Sequence, residues 1–154
     1  MENKIKLLVM DVDGTLTDGK IYIGPDGEAM KAFDVKDGYG IACILPKLGI
    51  IPVIITGRES TIVENRANEL GITELYQGVV DKLDQLKIVA EKYNAAPEEI
   101  AYIGDDLNDL ACIEYCGVTA CPADAVEEVK RKVTCVYTKS GGEGAVREFI
   151  ENIK

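Results

Sequence analysis

The 154-residue chain contains no histidine and no tryptophan. Without imidazole, Ser-His-Asp chemistry, Cys-His chemistry and histidine-ligated zinc are excluded together. Any acid or base must be a carboxylate, lysine, tyrosine or cysteine. Positive charge is also scarce: 17 Lys and Arg face 27 Asp and Glu, for a formal net charge of -10. No basic field exists to release counterions, so nucleic acid is not an expected partner. An acidic chain can still bind phosphate, but it then needs a metal ion or a few well-placed cations. No apolar run is long enough to span a bilayer, so no membrane helix is expected. Met1-Glu2-Asn3-Lys4 lacks the charged and apolar regions of a signal peptide. The five cysteines, Cys43, Cys112, Cys116, Cys121 and Cys135, include no CxxC pair. They read as buried, reduced thiols in a cytoplasmic protein.

What is present is a core and an ordinary charged surface: 47% hydrophobic and 29% charged residues. At this length one domain over residues 1–154 is expected. Short apolar runs end in polar clusters and alternate with helical patterns of about ten residues. Strands are expected at Leu7-Leu8-Val9-Met10, Ile50 to Ile55, Leu75-Tyr76, Ile100 to Ile103, Val118-Thr119-Ala120 and Val133 to Val136. Helices are expected over residues 37–48, 60–70, 81–93, 107–116 and 124–132, and to about 152 at the end. Pro46 is awkward inside the first of these. This alternation predicts an α/β fold, a parallel sheet covered on both faces. Residues 20–33 read as a β-hairpin around Gly24-Pro25-Asp26-Gly27. Gly141-Gly142-Glu143-Gly144 is the one stretch that reads as flexible.

In such sheets chemistry collects at the carboxyl ends of the strands. The first strand runs into Asp11-Val12-Asp13-Gly14, and period-two alternation puts Asp11 and Asp13 on one side of an extended backbone. An Asp-Gly turn explains Asp13 and Gly14 but not Asp11. The second strand ends at Thr56-Gly57-Arg58. The fourth ends at Gly104-Asp105-Asp106, with Asp109 one turn on. Aspartates at a helix start serve as caps. Aspartates converging from two strands repel unless a cation lies between them, and hard oxygen ligands suit Mg²⁺. Lys82 opens a helix, where its charge opposes the helix dipole, and there it can neutralise phosphate and nucleophile together. Arg66 shares a helix face with Ile62 and Leu70. It is either a structural ion pair or, like Arg58, an anion grip.

Asp11-x-Asp13-Gly14-Thr15, Thr56-Gly57-Arg58, Lys82 and Gly104-Asp105-Asp106-x-x-Asp109 together resemble the four motifs of the haloacid dehalogenase superfamily. The resemblance runs along the whole chain. It implies a Rossmann-like three-layer parallel sheet with a small hairpin insertion and no cap domain. The hairpin, residues 33–38, residues 75–78 and residues 141–148 resemble the subfamily of 3-deoxy-D-manno-octulosonate 8-phosphate phosphatases. Relatives of that subfamily act on nine-carbon nonulosonate 9-phosphates.

The resemblance implies a role for each motif residue. Asp11 would be the nucleophile and Asp13 the acid and base, with Thr56 and Lys82 holding the phosphoryl group. Mg²⁺ would be bound by Asp11, the Asp13 carbonyl and Asp105, supported by Asp106 and Asp109. Gly57, Arg58 and Arg66 would meet a phosphorylated sugar acid. Arg58 favours the eight-carbon acid, since nine-carbon relatives tend to carry glutamate there. Thr15 departs from the valine usual in these relatives. The subfamily also implies a homotetramer. Four hairpins would bury Ile21, Tyr22, Ile23 and Met30, and the C-terminal segment, with Arg147, would reach a neighbouring site.

Two other classes stay open on sequence. A phospho-accepting receiver domain also uses aspartates, a Thr and a Lys, but lacks a counterpart of Asp13. A non-catalytic assembly module would dispense with the metal-site carboxylates, all of which are present.

Overall fold

Strand burial fixes the architecture. The computed structural model describes residues 4–153. Eight strands follow in chain order: β1 (Leu7–Met10), β2 (Tyr22–Gly24), β3 (Gly27–Met30), β4 (Ile51–Ile55), β5 (Glu74–Tyr76), β6 (Ile100–Ile103), β7 (Val118–Cys121) and β8 (Cys135–Val136). Seven α-helices accompany them: α1 (Val35–Tyr39), α2 (Leu45–Leu48), α3 (Thr61–Leu70), α4 (Lys82–Lys92), α5 (Leu110–Tyr115), α6 (Glu127–Lys132) and α7 (Ala145–Asn152). Six strands form one parallel sheet in the order β5-β4-β1-β6-β7-β8. β1 is central, with Leu7 opposite both Ile51 and Ile100.

All four β1 residues are buried because the sheet is covered on both faces. Leu8 and Met10 point into a core with Ile41 and Leu45, with Val63 and Ala67 of α3, and with Phe149 and Ile150 of α7. Leu7 and Val9 point the other way, to Leu86 and Val89 of α4, Ile113 of α5 and Val129 of α6. Each such side chain contributes on the order of 2 kcal/mol by burial, against about 0–1 for a surface ion pair. The core therefore sets where the strand ends lie. The architecture is the three-layer α/β sheet expected, with no cap domain among the described residues. No helix among the described residues is long and apolar enough to cross a membrane.

Several local expectations need correction. The helix expected over residues 37–48 is three segments, with a π-turn at Gly40–Ile44 between α1 and α2. There the Leu45 N–H donates to the Gly40 carbonyl, one residue further back than in an α-helix. This wider turn carries the chain past Pro46, which sits at the start of α2 and has no N–H to give. The last strand is shorter than expected, two residues instead of four. Cys135 on it is exposed, not buried, because β8 is an edge strand. All five thiols are free. The Gly141–Gly144 stretch is pinned: the Gly141 N–H donates to Asp124 Oδ1 at 2.9 Å and the Gly142 N–H to the Thr15 carbonyl at 3.1 Å. Gly141 and Gly142 serve close approach to the loop after β1.

The C-terminal helix α7 has Gly144 at its N-cap and no side-chain cap of its own. Asp37 of α1 supplies one from across the fold. Its Oδ1 accepts the Arg147 N–H at 2.8 Å, while Oδ2 is buried with no hydrogen-bond partner among the described residues. Burial pushes the Asp37 carboxyl up from 3.8 to about 6. Neighbouring Asp34 adds to the rise, and the Arg147 amide and Arg66 oppose it. A raised carboxyl pKa means the native state keeps a proton that the unfolded chain releases above pH 3.8. That contribution is full below pH 4 and is lost as pH rises through about 6. Stability should fall by up to ~3 kcal/mol from this group over that window. Urea unfolding of Asp37→Asn should show a visibly flatter dependence between pH 4 and 7 than the parent protein.

Candidate active site

β1 ends at Met10, and the chain then turns instead of staying extended. The N–H groups of Thr15, Leu16 and Thr17 all donate to the Val12 carbonyl at 2.9–3.1 Å. Asp13 therefore sits in a turn, not one strand step beyond Asp11. Both aspartates still line one cleft, together with Thr56, Gly57, Arg58, Asp106 and Asn108. Thr56 is held at the end of β4: its N–H reaches the Tyr76 carbonyl at 3.0 Å and its carbonyl accepts the Val79 N–H at 3.1 Å.

Lys82 reaches the cleft floor from the first turn of α4, capped by Asp81, whose side chain accepts the Asp84 N–H at 3.0 Å. Its Nζ donates to Asp11 Oδ1 at 2.8 Å and to Asp109 Oδ1 at 2.9 Å. The side chains of Lys82, Asp11 and Asp109 are 2%, 7% and 0% exposed. Burial works against the Lys82 charge, but the two carboxylates outweigh it and raise its pKa. Burial also raises the Asp11 carboxyl, helped by Asp109 and opposed by Lys82.

Asp109 is saturated. Oδ1 accepts from Lys82 Nζ and from the Tyr102 hydroxyl at 2.5 Å; Oδ2 accepts the Asp105 and Asp106 N–H groups at 3.0 and 3.2 Å. A carboxylate offers about four acceptor positions, and these four are taken. Asp109 thus fixes the backbone that presents Asp105, and it has no lone pair to spare.

Asp105 lies against Asp11. Its carboxyl is pushed up to about 9 by burial first, then by contact with Asp11 and the charges of Asp109 and Asp106. Thr15 Oγ1 donates to Asp105 Oδ1 at 3.3 Å, so the residue that departs from valine adds a polar contact here. Two glycines make room. A Cβ on Gly14, at φ +92°, would lie 1.9 Å from Asp105 Oδ2, and one on Gly104 would lie 2.3 Å from the Asp109 carboxyl carbon.

Carboxylate oxygens of Asp11, Asp105 and Asp109 fall within 4.8 Å of one another. With Asp109 saturated, Asp11 and Asp105 are the pair that fits a divalent cation. Burial first, and then the charge of Asp109, drive both carboxyls toward protonation, and a hard cation relieves that. Asp106 caps the short turn at Leu107–Asp109 and borders the cleft.

Arg58 lines the cleft, but Arg66 is elsewhere. It stands over the Phe33 ring at 5.6 Å, reaches the Asp34 carbonyl at 3.5 Å and pairs with Glu69 at 3.1 Å. Helix α3 turns that face toward α1, away from Asp11. Three polar residues next to the cleft are not singled out by the sequence. Lys31 Nζ lies 2.5 Å from Asp13 Oδ1 and 3.0 Å from Glu28 Oε2, and Ser60 Oγ donates to Glu28 Oε1 at 2.6 Å. On a short hairpin, Glu28 and Lys31 look like ordinary surface charges; only the fold brings them to Asp13.

A doubly wound sheet that gathers Asp11, Thr56 and Asp105 at the carboxyl ends of its central strands, with Lys82 reaching in from α4 and Asp13 as the second carboxylate that a receiver lacks, has the site of a hydrolase centred on an aspartate. The model of the haloacid dehalogenase-like hydrolases matches residues 56–150, and the chain belongs to that family. It is 49% identical over 147 residues to the 3-deoxy-D-manno-octulosonate 8-phosphate phosphatase KdsC of Escherichia coli K12, covering 96% of this chain and 78% of that one. The crystal structure of the phosphatase of that name from Yersinia pestis is similar at TM-score 0.94 and 46% identity, over 99% of this chain and 82% of the other. The Moraxella catarrhalis phosphatase of that name, in complex with magnesium, phosphate and KDO, is similar at TM-score 0.94 and 43% identity, over 99% and 87% of the two chains.

Removing Lys82 leaves two buried carboxylates without their cation. Lys82→Met should lower unfolding stability by roughly 3 kcal/mol at pH 8 in EDTA. The loss should shrink at pH 5, because burial raises the Asp11 carboxyl and favours its neutral form. Urea denaturation at both pH values measures it.

Proposed function

We propose that the chain is a Mg²⁺-dependent phosphatase acting on 3-deoxy-D-manno-octulosonate 8-phosphate or a closely related 2-keto-3-deoxy sugar acid phosphate. One observation carries this: the buried Asp11–Lys82–Asp109 arrangement beside Asp13 and Asp105. The likeness to octulosonate phosphatases over nearly the whole chain supports it.

Asp11 attacks phosphorus, the bond to the sugar oxygen breaks, and an aspartyl phosphate forms. Asp13 gives its proton to the departing oxygen. It then takes a proton from the water that attacks the aspartyl phosphate, releasing phosphate and restoring Asp11. Thr56 and Lys82 hold the phosphoryl oxygens, so positioning and charge do most of the work. Mg²⁺ would be held by Asp11, the Asp13 carbonyl and Asp105, with Asp106 and Asp109 behind them. When bound it offsets the negative charge between nucleophile and phosphate. Gly57 and Arg58 border the part of the cleft where the sugar acid would lie, with Arg58 as the grip on its carboxylate. Arg66, turned toward Phe33 and Asp34, is assigned a packing role instead.

The chain acts as one catalytic domain. Its free thiols suit a reducing, cytoplasmic setting. It assembles as a homotetramer through the hairpin, whose Ile21, Ile23 and Met30 are 46%, 74% and 52% exposed. In that assembly the C-terminal segment with Arg147 lies toward a neighbour. Ile23→Glu should give monomers in sedimentation velocity, and an unchanged species would remove the hairpin interface.

The central test is phosphate release. With Mg²⁺ the eight-carbon 8-phosphate should be hydrolysed faster than a nine-carbon 9-phosphate, and EDTA should stop both reactions. Asp11→Asn should lose roughly four orders of magnitude or more in kcat. Activity surviving that change would remove the nucleophile. Equal, slow turnover of both acids would remove the assignment of Arg58.

A further inference from the structure

Lys31 is an unusual residue for an exposed hairpin, because its side chain is 1% exposed. Burying an ammonium costs several kcal/mol unless it is paired. Two carboxylates meet it, Asp13 at 2.5 Å and Glu28 at 3.0 Å. Burial opposes its charge, yet these two partners outweigh the opposition and raise its pKa. Glu28 is itself fixed by Ser60 Oγ at 2.6 Å and faces Arg58 Nη2 at 3.4 Å. A continuous polar chain thus runs Arg58–Glu28–Lys31–Asp13, joining the end of β4 to the loop after β1 through the hairpin.

We propose that Lys31 is a positioning residue for Asp13, and that the hairpin is thereby a working part of the reactive site. The inference rests on the phosphatase reading above. Asp13 stands in a turn, and no other side chain among the described residues bonds its carboxylate. Lys31 grips Oδ1; Oδ2 accepts no hydrogen bond among the described residues, on a side chain that lines the cleft. One oxygen is anchored and the other is left for the departing sugar oxygen. Misplacement of a proton donor by about 1 Å can cost on the order of a hundredfold in rate. Glu28 adds a second link, since it ties the same ammonium to Arg58.

A merely structural Lys31 and a positioning Lys31 differ in leaving-group dependence. When Asp11 displaces a sugar alkoxide, that oxygen must take the Asp13 proton and leave as an alcohol. When Asp11 displaces p-nitrophenolate, the same phosphorus–oxygen bond breaks and the anion leaves without a proton. The value of kcat/KM covers only the steps up to that displacement, so the later hydrolysis does not enter.

The test compares kcat/KM with Mg²⁺ on 3-deoxy-D-manno-octulosonate 8-phosphate and on p-nitrophenyl phosphate. Lys31→Met should lose roughly 30-fold or more on the sugar ester and under about 3-fold on the aryl ester, the pattern also expected of Asp13→Asn. Lys31→Arg should restore part of the sugar-ester rate. Equal losses on the two esters, or no loss on the sugar ester, would overturn the proposal. If Lys31→Met does not fold, Lys31→Gln reports the same ratio. If neither variant folds, Lys31 is a structural residue and the proposal falls. Wild-type protein that hydrolyses neither ester would instead sink the phosphatase reading.

Discussion

A single buried ammonium holds the site together. Lys82 joins Asp11 at the end of β1 to Asp109 at the start of α5, from the first turn of α4. Without Lys82 the two carboxylates would be left buried and uncompensated, and even with it the three groups bring less stability than well-packed apolar side chains would. The arrangement is therefore weak as a source of stability and strong as a constraint. It fixes three elements relative to one another at the one edge of the sheet where the central strands end. Asp109 extends the constraint by spending its remaining acceptor positions on Tyr102 and on the amides of Asp105 and Asp106. The backbone that carries Asp105 is held by the same charge that is held by Lys82.

Net charge at the cleft explains why this much fixing is needed. Lys82 balances one of the carboxylates around it. Asp105 and Asp11 still face each other, and both carboxyls are raised above the usual carboxylate range, mainly by burial. Neighbouring acids in a polar protein surface would swing apart into water. Here Gly14 and Gly104 admit Asp105 and Asp109 at distances that a Cβ would forbid, and Thr15 donates to Asp105. The sequence thus uses absent side chains on one side and a buried cation on the other to keep acids close. That geometry has a use where a divalent cation and a phosphate dianion are to be brought to the same carboxylate.

Much of this is legible from residues alone, for a definite reason. Leu7 to Met10 is continuously apolar because β1 is buried on both faces, so carboxylates directly after it stand out. Lys82 stands out because its charge opposes the dipole of the helix it opens. These are local signals read against simple physical costs. What stays hidden depends on long-range contact or on register. Lys31 and Glu28 are charged residues on a short hairpin and gain meaning only when the hairpin folds back on Asp13. Arg66 sits on a helix face that the sequence identifies correctly, but the sequence does not say which neighbour that face meets; it meets Phe33 and Asp34. The π-turn at Gly40–Ile44 leaves no compositional trace beyond Pro46. Gly141 and Gly142 look like a flexible joint because glycine permits both freedom and close packing, and composition cannot separate the two.

The hairpin brings these strands of argument to one point. A two-stranded hairpin is marginal by itself, so it needs something to rest on. Its apolar residues Ile21, Ile23 and Met30 stay exposed, so its own core does not supply that support. Within the described residues its polar side does: Lys31 and Glu28 reach Asp13, Ser60 and Arg58. The insertion is therefore tethered at its base by Phe33, which packs on the core, and beyond that through the cleft residues, and the face of Ile21, Ile23 and Met30 is left outward. An element tethered this way cannot shift without moving Asp13 and Arg58. Whatever packs on the outward face would then be felt at the cleft, through one buried lysine and one glutamate rather than through the sheet.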